Sequence, residues 1–190
     1  LGSTIDDAAG EAFDKVAQLL ELGYPGGPHI ERTARDGDAT SIRLPRPLLS
    51  NPGLDFSFSG LKTAVRYQVH GVPGTDRTPP EMTANRTADL AASFQAAVVD
   101  ALVTKARWAV EATGAVGACL GGGVAANSLL RDRFAGMCNE AGVRPFVPSR
   151  AMCTDNAAMV AAAGWWRLQS DGPSPLDVGA DPNLALPLLV

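Results

Sequence analysis

Val116-Gly117-Ala118-Cys119-Leu120-Gly121-Gly122-Gly123-Val124-Ala125-Ala126-Asn127 is the stretch on which the fold turns. Its first five residues form a short apolar run that reads as a buried strand. Three glycines follow as a loop, and Asn127 opens a helix expected to reach Glu140. Arg144 to Val147 reads as a second strand, and a helix from Asp155 to about Leu168 follows Cys153-Thr154. Strand, helix, strand, helix in that rhythm imply an α/β fold with a mainly parallel sheet and helices packed on it. Glycines lack the Cβ that would keep an anion away from backbone N–H groups, so Gly121, Gly122 and Gly123 are candidate anion binders. The alternative is a tight turn that binds nothing. Neither GKS/T nor GxGxxG is present, which excludes a Walker loop and a dinucleotide fingerprint.

Working toward the N-terminus, Leu90, Phe94, Ala97, Val98, Ala101 and Leu102 mark a long helix ending near Thr113-Gly114. Thr78-Pro79-Pro80-Glu81 has the spacing of a capping box for its start. The segment from Gly71 to Thr78 reads as a surface loop. In Leu54 to Gly60 the alternation predicts a strand with Phe56 and Phe58 on one side, after which Ser59 caps a helix from near Leu61. Thr40 to Leu44 reads as a strand, and Pro28 as the opening of a short helix through Arg35. In the first helix Ala9, Phe13, Val16, Ala17 and Leu20 share one face, with Asp6 or Asp7 as cap and Gly23 as stop. The chain divides into residues 1–114, a βαβα segment over 115–178 and a Pro-rich tail over 179–190.

Composition sets outer bounds. The 190 residues are 46% hydrophobic and 19% charged, ordinary for a soluble globular domain. A formal charge of −4 argues against autonomous tight RNA binding, which needs a basic surface. No run approaches the roughly 20 apolar residues of a membrane span. Cys119, Cys138 and Cys153 form no CxxC pair and read as buried thiols in a reducing cytoplasm. The Leu1-Gly2-Ser3 start suits a cut inside a longer chain.

Two acidic features have the chemistry of a site. Glu11 and Asp14, one helical turn apart, precede the turn Tyr24-Pro25-Gly26-Gly27-Pro28. A carboxylate there could accept two ribose hydroxyls, or the pair could be a solvated helix face. The second feature is Cys153-Thr154-Asp155-Asn156, beyond the second strand. Ligands in α/β sheets sit beyond the carboxyl ends of strands, so Asp155 could bind a metal or cap the next helix. HExxH and GxSxG are absent, which removes support for a zinc protease or a serine hydrolase.

Five segments resemble the TsaD (Gcp) family, whose archaeal and eukaryotic relatives form the catalytic subunit of the KEOPS complex. They are STIDDAAGEAFDK (Ser3 to Lys15), YPGGP (Tyr24 to Pro28), LDFSFSGLKT (Leu54 to Thr63), GGGVAAN (Gly121 to Asn127) and CTDNAAM (Cys153 to Met159). One departure is Ala157, where many relatives have glycine. The resemblance implies the C-terminal lobe of an actin-like/sugar-kinase (ASKHA, ribonuclease H-like) ATPase fold, a mixed sheet with helices plus a helical insertion. It implies an N6-adenosine threonylcarbamoyltransferase. The group moves from threonylcarbamoyl-AMP to the adenosine next to the anticodon in tRNAs reading codons beginning with A. Family nucleotide or substrate contacts fall on Asp14, Gly27 and Asn127, with Glu11 and Gly121 to Gly123 beside them, and a metal-ligand role on Asp155.

The same resemblance implies one divalent metal, iron or zinc, and partners of the TsaB and TsaE type together with tRNA and the N-terminal lobe. The family's HxxxH metal pair, first phosphate loop and SGGHT-type loop precede the point where this chain begins. The fragment alone is therefore expected to lack the metal and to be inactive, since such sites need three or four protein groups. Two other readings stand beside the transferase. One is a carbohydrate-kinase-like ATPase lobe, for which no sugar lobe or catalytic aspartate is found. The other is a non-catalytic module that binds nucleotide or docks a partner.

Overall fold

Phe13 and Phe94 meet edge to face with ring centroids 5.2 Å apart, and the first part of the chain is organised around that contact. A computed structural model describes residues 1–49, 53–75, 78–181 and 184. It divides into two units, Leu1–Thr154 and Asp155–Val190. The first unit contains α1 (Ala9–Leu19), α2 (Gly26–Ala34), α3 (Ser59–His70), α4 (Ala84–Thr113), β1 (Gly117–Cys119), α5 (Ser128–Glu140) and β2 (Arg144–Phe146). The second contains α6 (Ala157–Asp171).

The face of α1 predicted from spacing is the buried one: Phe13, Val16, Ala17 and Leu20 lie in the core. They pack with Ile30 of α2, Leu61 and Val65 of α3, and Leu90, Phe94 and Val98 of α4. Residues 90–99 of α4 are buried all the way round, as expected for a helix enclosed by others. Gly114 ends it in the left-handed conformation, φ 64°, where glycine carries no Cβ penalty. Truncating Phe13 to alanine in such a core costs roughly 3–5 kcal/mol.

A smaller core lies under the sheet, where Phe134, Met137 and Cys138 of α5 pack against Ala118, Leu120, Val143 and Val147. β1 and β2 are parallel, with Gly117 opposite Arg144 and Cys119 opposite Phe146. The α/β reading with a parallel pair therefore holds. The expectation of a buried first strand does not: Val116 is 90% exposed and Cys119 is exposed. A two-stranded sheet leaves strand surface that no neighbour covers among the described residues. Cys138 and Cys153 are buried as expected.

Several predicted helix starts are corrected, that of α3 because its cap comes from elsewhere in the chain. Asp6 does not cap α1. Its carboxylate accepts the Phe58 N–H at 2.7 Å, the Ser59 N–H at 3.2 Å and the Ser57 hydroxyl, so it caps α3 from 52 residues away. Ser59 is thus the first residue of α3 rather than its cap. Asp7 is taken by Lys15 at 2.8 Å and Lys62 at 2.7 Å. α1 starts instead at Ala9, with Glu11 accepting the Ala8 N–H at 3.3 Å.

For α4 the predicted box at Thr78 is not helical. Thr83 caps the helix, its hydroxyl accepting from the Arg86 N–H at 3.2 Å. Thr40 to Leu44 forms no strand. Asp38 holds Thr40 in a local turn, and the Ile42 N–H donates to Ser93 of α4, not to a sheet neighbour. The predicted strand over Leu54 to Gly60 shrinks to one parallel bridge, Thr4 to Phe56, with Phe56 and Phe58 stacked at 6.1 Å. In the second unit Asn156 caps α6, accepting the Met159 N–H at 3.0 Å. Residues 76–77 of the expected surface loop, and residues 182–183 and 185–190 of the expected tail, lie outside the described residues.

No described helix is long and apolar enough to cross a membrane.

Candidate functional site

A cleft of about 380 Å³ opens between the first turns of α1, the start of α2 and the glycine loop. Asp14, Gly27 and Gly123 line it, with Gly10, Phe13, Pro25, Pro28, Val124 and Thr154. Three of the residues predicted from sequence thus share one cavity, although the glycine loop is far from the other two along the chain.

The two glycines of the turn have separate tasks. A Cβ on Gly26 would sit 2.5 Å from the Phe13 carbonyl oxygen and 2.6 Å from the Asp14 Cα. Only glycine therefore lets α2 begin against α1. A Cβ on Gly27 would meet no protein atom within 4 Å, so Gly27 borders open cleft. Asp14 joins the two, because its Oδ1 accepts the Gly26 N–H at 2.7 Å. It thereby caps α2, whose formal cap residue Pro25 has no side-chain acceptor. One carboxylate oxygen is used by that bond while the residue still lines the cleft.

The glycine loop differs from the expected strand–loop–helix. A short 3-10 turn, Gly123–Ala126, follows the glycines, and α5 begins only at Ser128. Gly122 has φ 82°, a left-handed conformation that explains why glycine stands there. Any anion held here would be held by glycine backbone, not by the dipole of α5. Gly123 faces the cleft with Asp14. Gly121 and Gly122 line, together with Gly123, a second hollow of about 320 Å³ against α4 and α5.

Asn127 is 7% exposed and lies beneath the loop, outside the lining of either hollow. Its Oδ1 accepts the Leu130 N–H at 3.0 Å, and its Nδ2 donates to Gln95 Oε1 at 2.7 Å. It caps α5 and ties the loop to α4. Glu11 does not line the cleft. It forms a salt bridge with Lys15 at 2.7 Å and accepts from Ala8, and these bonds hold its carboxyl below the usual range. Asp155 is exposed, in the second unit, and is not the cap of α6.

Two residues that position the site carry no signal in the sequence. Glu31 of α2 accepts from both the hydroxyl and the N–H of Ser128, placing a carboxylate at the start of α5 where the dipole favours it. Arg131 donates to the Ala125 carbonyl at 3.0 Å and the Pro148 carbonyl at 2.7 Å, clamping the 3-10 turn to the segment after β2. Glu31 and Ser128 are 97 residues apart, so no local spacing could pair them. Among the described residues no three His, Cys, Asp or Glu side chains gather as a metal site would require.

Comparison with known proteins gives one answer. The family model described as TsaD, tRNA N6-adenosine threonylcarbamoyltransferase, matches residues 1–162. A protein of that name from Polaromonas sp. strain JS666 is 52% identical over 170 residues, 90% of this chain and 47% of its own length. Another from Paracidovorax citrulli is 53% identical over 175 residues, covering 92% and 48%. A third from Symbiobacterium thermophilum is 49% identical over 186 residues, covering 98% and 52%. The chain spans about half the length of the curated relatives it matches.

Proposed function

The chain belongs to the TsaD family of tRNA N6-adenosine threonylcarbamoyltransferases, and from that premise we propose that it is the nucleotide-holding part of such an enzyme, built as one lobe of an ASKHA-type fold. The observation that carries this reading is the cleft that Asp14, Gly27 and Gly123 share. Its chemistry suits the adenylate half of threonylcarbamoyl-AMP. The free carboxylate oxygen of Asp14 accepts ribose hydroxyls, and Gly27 leaves them room. The Gly123 backbone meets the phosphate. Asn127 acts by holding the loop, since its own amide is already engaged on both sides.

In the reaction the adenosine N6 attacks the carbamoyl carbon of the mixed anhydride. An N–C bond forms, the C–O bond to the phosphate breaks, AMP leaves with the electron pair, and the amine gives up a proton. Such an amine is a weak nucleophile, so fixing the donor in place carries much of the rate. This chain's residues hold and orient the donor.

The residues present do not fit a metal centre by themselves, given that no ligand-type cluster exists among those described. Asp155 would be a single ligand of a site completed by other parts of the parent. The test is transfer by the full-length protein with TsaB- and TsaE-type partners. Threonylcarbamoyladenosine should appear in unmodified tRNA by nucleoside mass spectrometry. No product from an assembly that binds the adenylate donor would refute the transferase reading.

A further inference from the structure

Three buried polar side chains stand on α4 among the described residues: Ser93, Gln95 and Lys105. Two of them serve the backbone that crosses the helix. Ser93 accepts the Ile42 N–H at 3.3 Å and donates to the Asp38 carbonyl at 3.4 Å, and Lys105 donates to the Leu48 and Gly53 carbonyls. Gln95 reaches a side chain of the candidate site instead, its Oε1 accepting from Asn127 Nδ2 at 2.7 Å. Gln95 lines neither the cleft nor the second hollow. We propose that Gln95 is a positioning residue for the nucleotide, acting through Asn127 to hold the glycine turn in place, a role that rests on the nucleotide cleft proposed above.

Asn127 is where the turn joins α5. Its N–H donates to the Val124 carbonyl at 3.0 Å, and its own carbonyl accepts the Arg131 N–H at 3.1 Å. Its Oδ1 accepts the Leu130 N–H at 3.0 Å. That bond decides which end of the amide is oxygen and turns Nδ2 toward Gln95. Any shift of Asn127 therefore moves Val124 and Gly123, which line the cleft.

Packing does not supply the same restraint. The second hollow, about 320 Å³, lies against the glycines, with Leu102 and Ala106 of α4 and Leu130 and Phe134 of α5 in its walls. The loop has room to sink into it, and three successive glycines resist little. Arg131 ties the turn toward the segment after β2, while Gln95 ties it to α4. Gln95 is 8% exposed and Asn127 7%, so water cannot readily replace the bond if the acceptor is removed.

The test uses the full-length protein with AMP as the probe, titrated by calorimetry well below the melting temperature. Gln95→Leu and Gln95→Met both keep a side chain of similar volume and remove the amide acceptor. Each should weaken AMP binding by about two- to tenfold, as loss of one neutral hydrogen bond does. Hydrogen exchange should quicken at the amides of residues 121–127 and stay at the wild-type rate along α4. In transfer assays the KM for the adenylate donor should rise while kcat stays within about twofold of wild type. Gln95→Glu keeps an acceptor and should recover both affinity and protection. Asn127→Ser keeps an oxygen to cap α5 but has no Nδ2, so adding Gln95→Leu to it should weaken AMP binding no further. Ser93→Ala loses a buried bond two residues away on the same helix; it should lower the melting temperature and bind AMP like the wild type.

Gln95→Leu and Gln95→Met variants that melt lower yet bind AMP like the wild type would reduce Gln95 to a structural residue and overturn the proposal. An equal loss of affinity in Ser93→Ala, or full additivity of Gln95→Leu with Asn127→Ser, would overturn it too. AMP binding by the wild type without transfer to tRNA would refute the transferase reading alone, because Gln95 acts on nucleotide binding. Absence of AMP binding by the wild type would overturn the cleft and the role of Gln95 together.

Discussion

Replacing Asp14 separates two roles that its geometry combines. Its Oδ1 caps α2 through the Gly26 N–H at 2.7 Å, and loss of a helix cap costs about 0.5–2 kcal/mol. Asp14→Ala should therefore lower the melting temperature, by about 2–4 °C per kcal/mol in a domain of this size. If the other oxygen holds ribose hydroxyls, binding also loses a hydrogen bond to a charged group. That is worth about 1.5–3 kcal/mol, or roughly ten- to hundred-and-fifty-fold in affinity. Asp14→Asn divides the two effects. The amide oxygen still accepts from Gly26, so the melting temperature should stay near wild type, while the charge that ribose meets is gone. Calorimetric titration of the full-length protein with AMP or a threonylcarbamoyl-AMP analogue should then show a Kd weaker by about tenfold or more for both variants. Asn binding within about twofold of wild type, at an unchanged melting profile, would make Asp14 a cap and nothing more.

The neighbouring glycines should split in the opposite way. Gly26→Ala forces a Cβ to within 2.5–2.8 Å of α1 backbone and should lower stability measurably by denaturant titration, whereas Gly27→Ala should melt like wild type yet weaken nucleotide binding. Asp7, held below the usual carboxylate range by hydrogen bonds from Lys15 and Lys62, ties stability to pH. Its contribution is complete above the unfolded value of about 3.9 and is lost as pH falls through the lower folded value. Asp7→Asn should accordingly flatten the melting temperature's fall between about pH 5 and 2. Asp155→Ala in the full-length enzyme should leave melting unchanged, because Asn156 is the cap of α6, while reducing both bound metal by elemental analysis and transfer. Unchanged metal content and transfer would remove Asp155 from the site.

What can be read from the sequence follows from where each signal resides. The apolar face of α1 and the end of α4 near Gly114 are properties of short windows, where spacing and side-chain chemistry suffice, and the parallel β1–β2 pair follows from the order of strand and helix. The starts of α1 and α3 differ from their spacing because a cap need not be local. Asp6 reads as a cap for the helix beside it, yet it serves Phe58 and Ser59, and α1 relies on Glu11 instead. Strand signals fail for a related reason. Ile42 and Leu44 are buried, as a strand's would be, but they join the helical core and Ser93 answers the Ile42 N–H, so no ladder is required.

The candidate site shows the same division in a sharper form. Gly121 to Gly123, Asp14 and Gly27 are legible because their chemistry is unusual where it stands. Glu31 and Arg131 are not, since an acid on α2 and an arginine on α5 look like ordinary surface charge. Their meaning lies in what they reach: the N-terminus of α5 for Glu31, and two carbonyls flanking the glycine turn for Arg131. A loop of three glycines gains openness to a ligand at the expense of backbone entropy, and left to itself it would sample many shapes. Anchors on both sides confine it, with Asn127 beneath bound to Gln95. The residues that make the loop a usable site are therefore not those that would touch the nucleotide, and only the folded chain brings the two groups together.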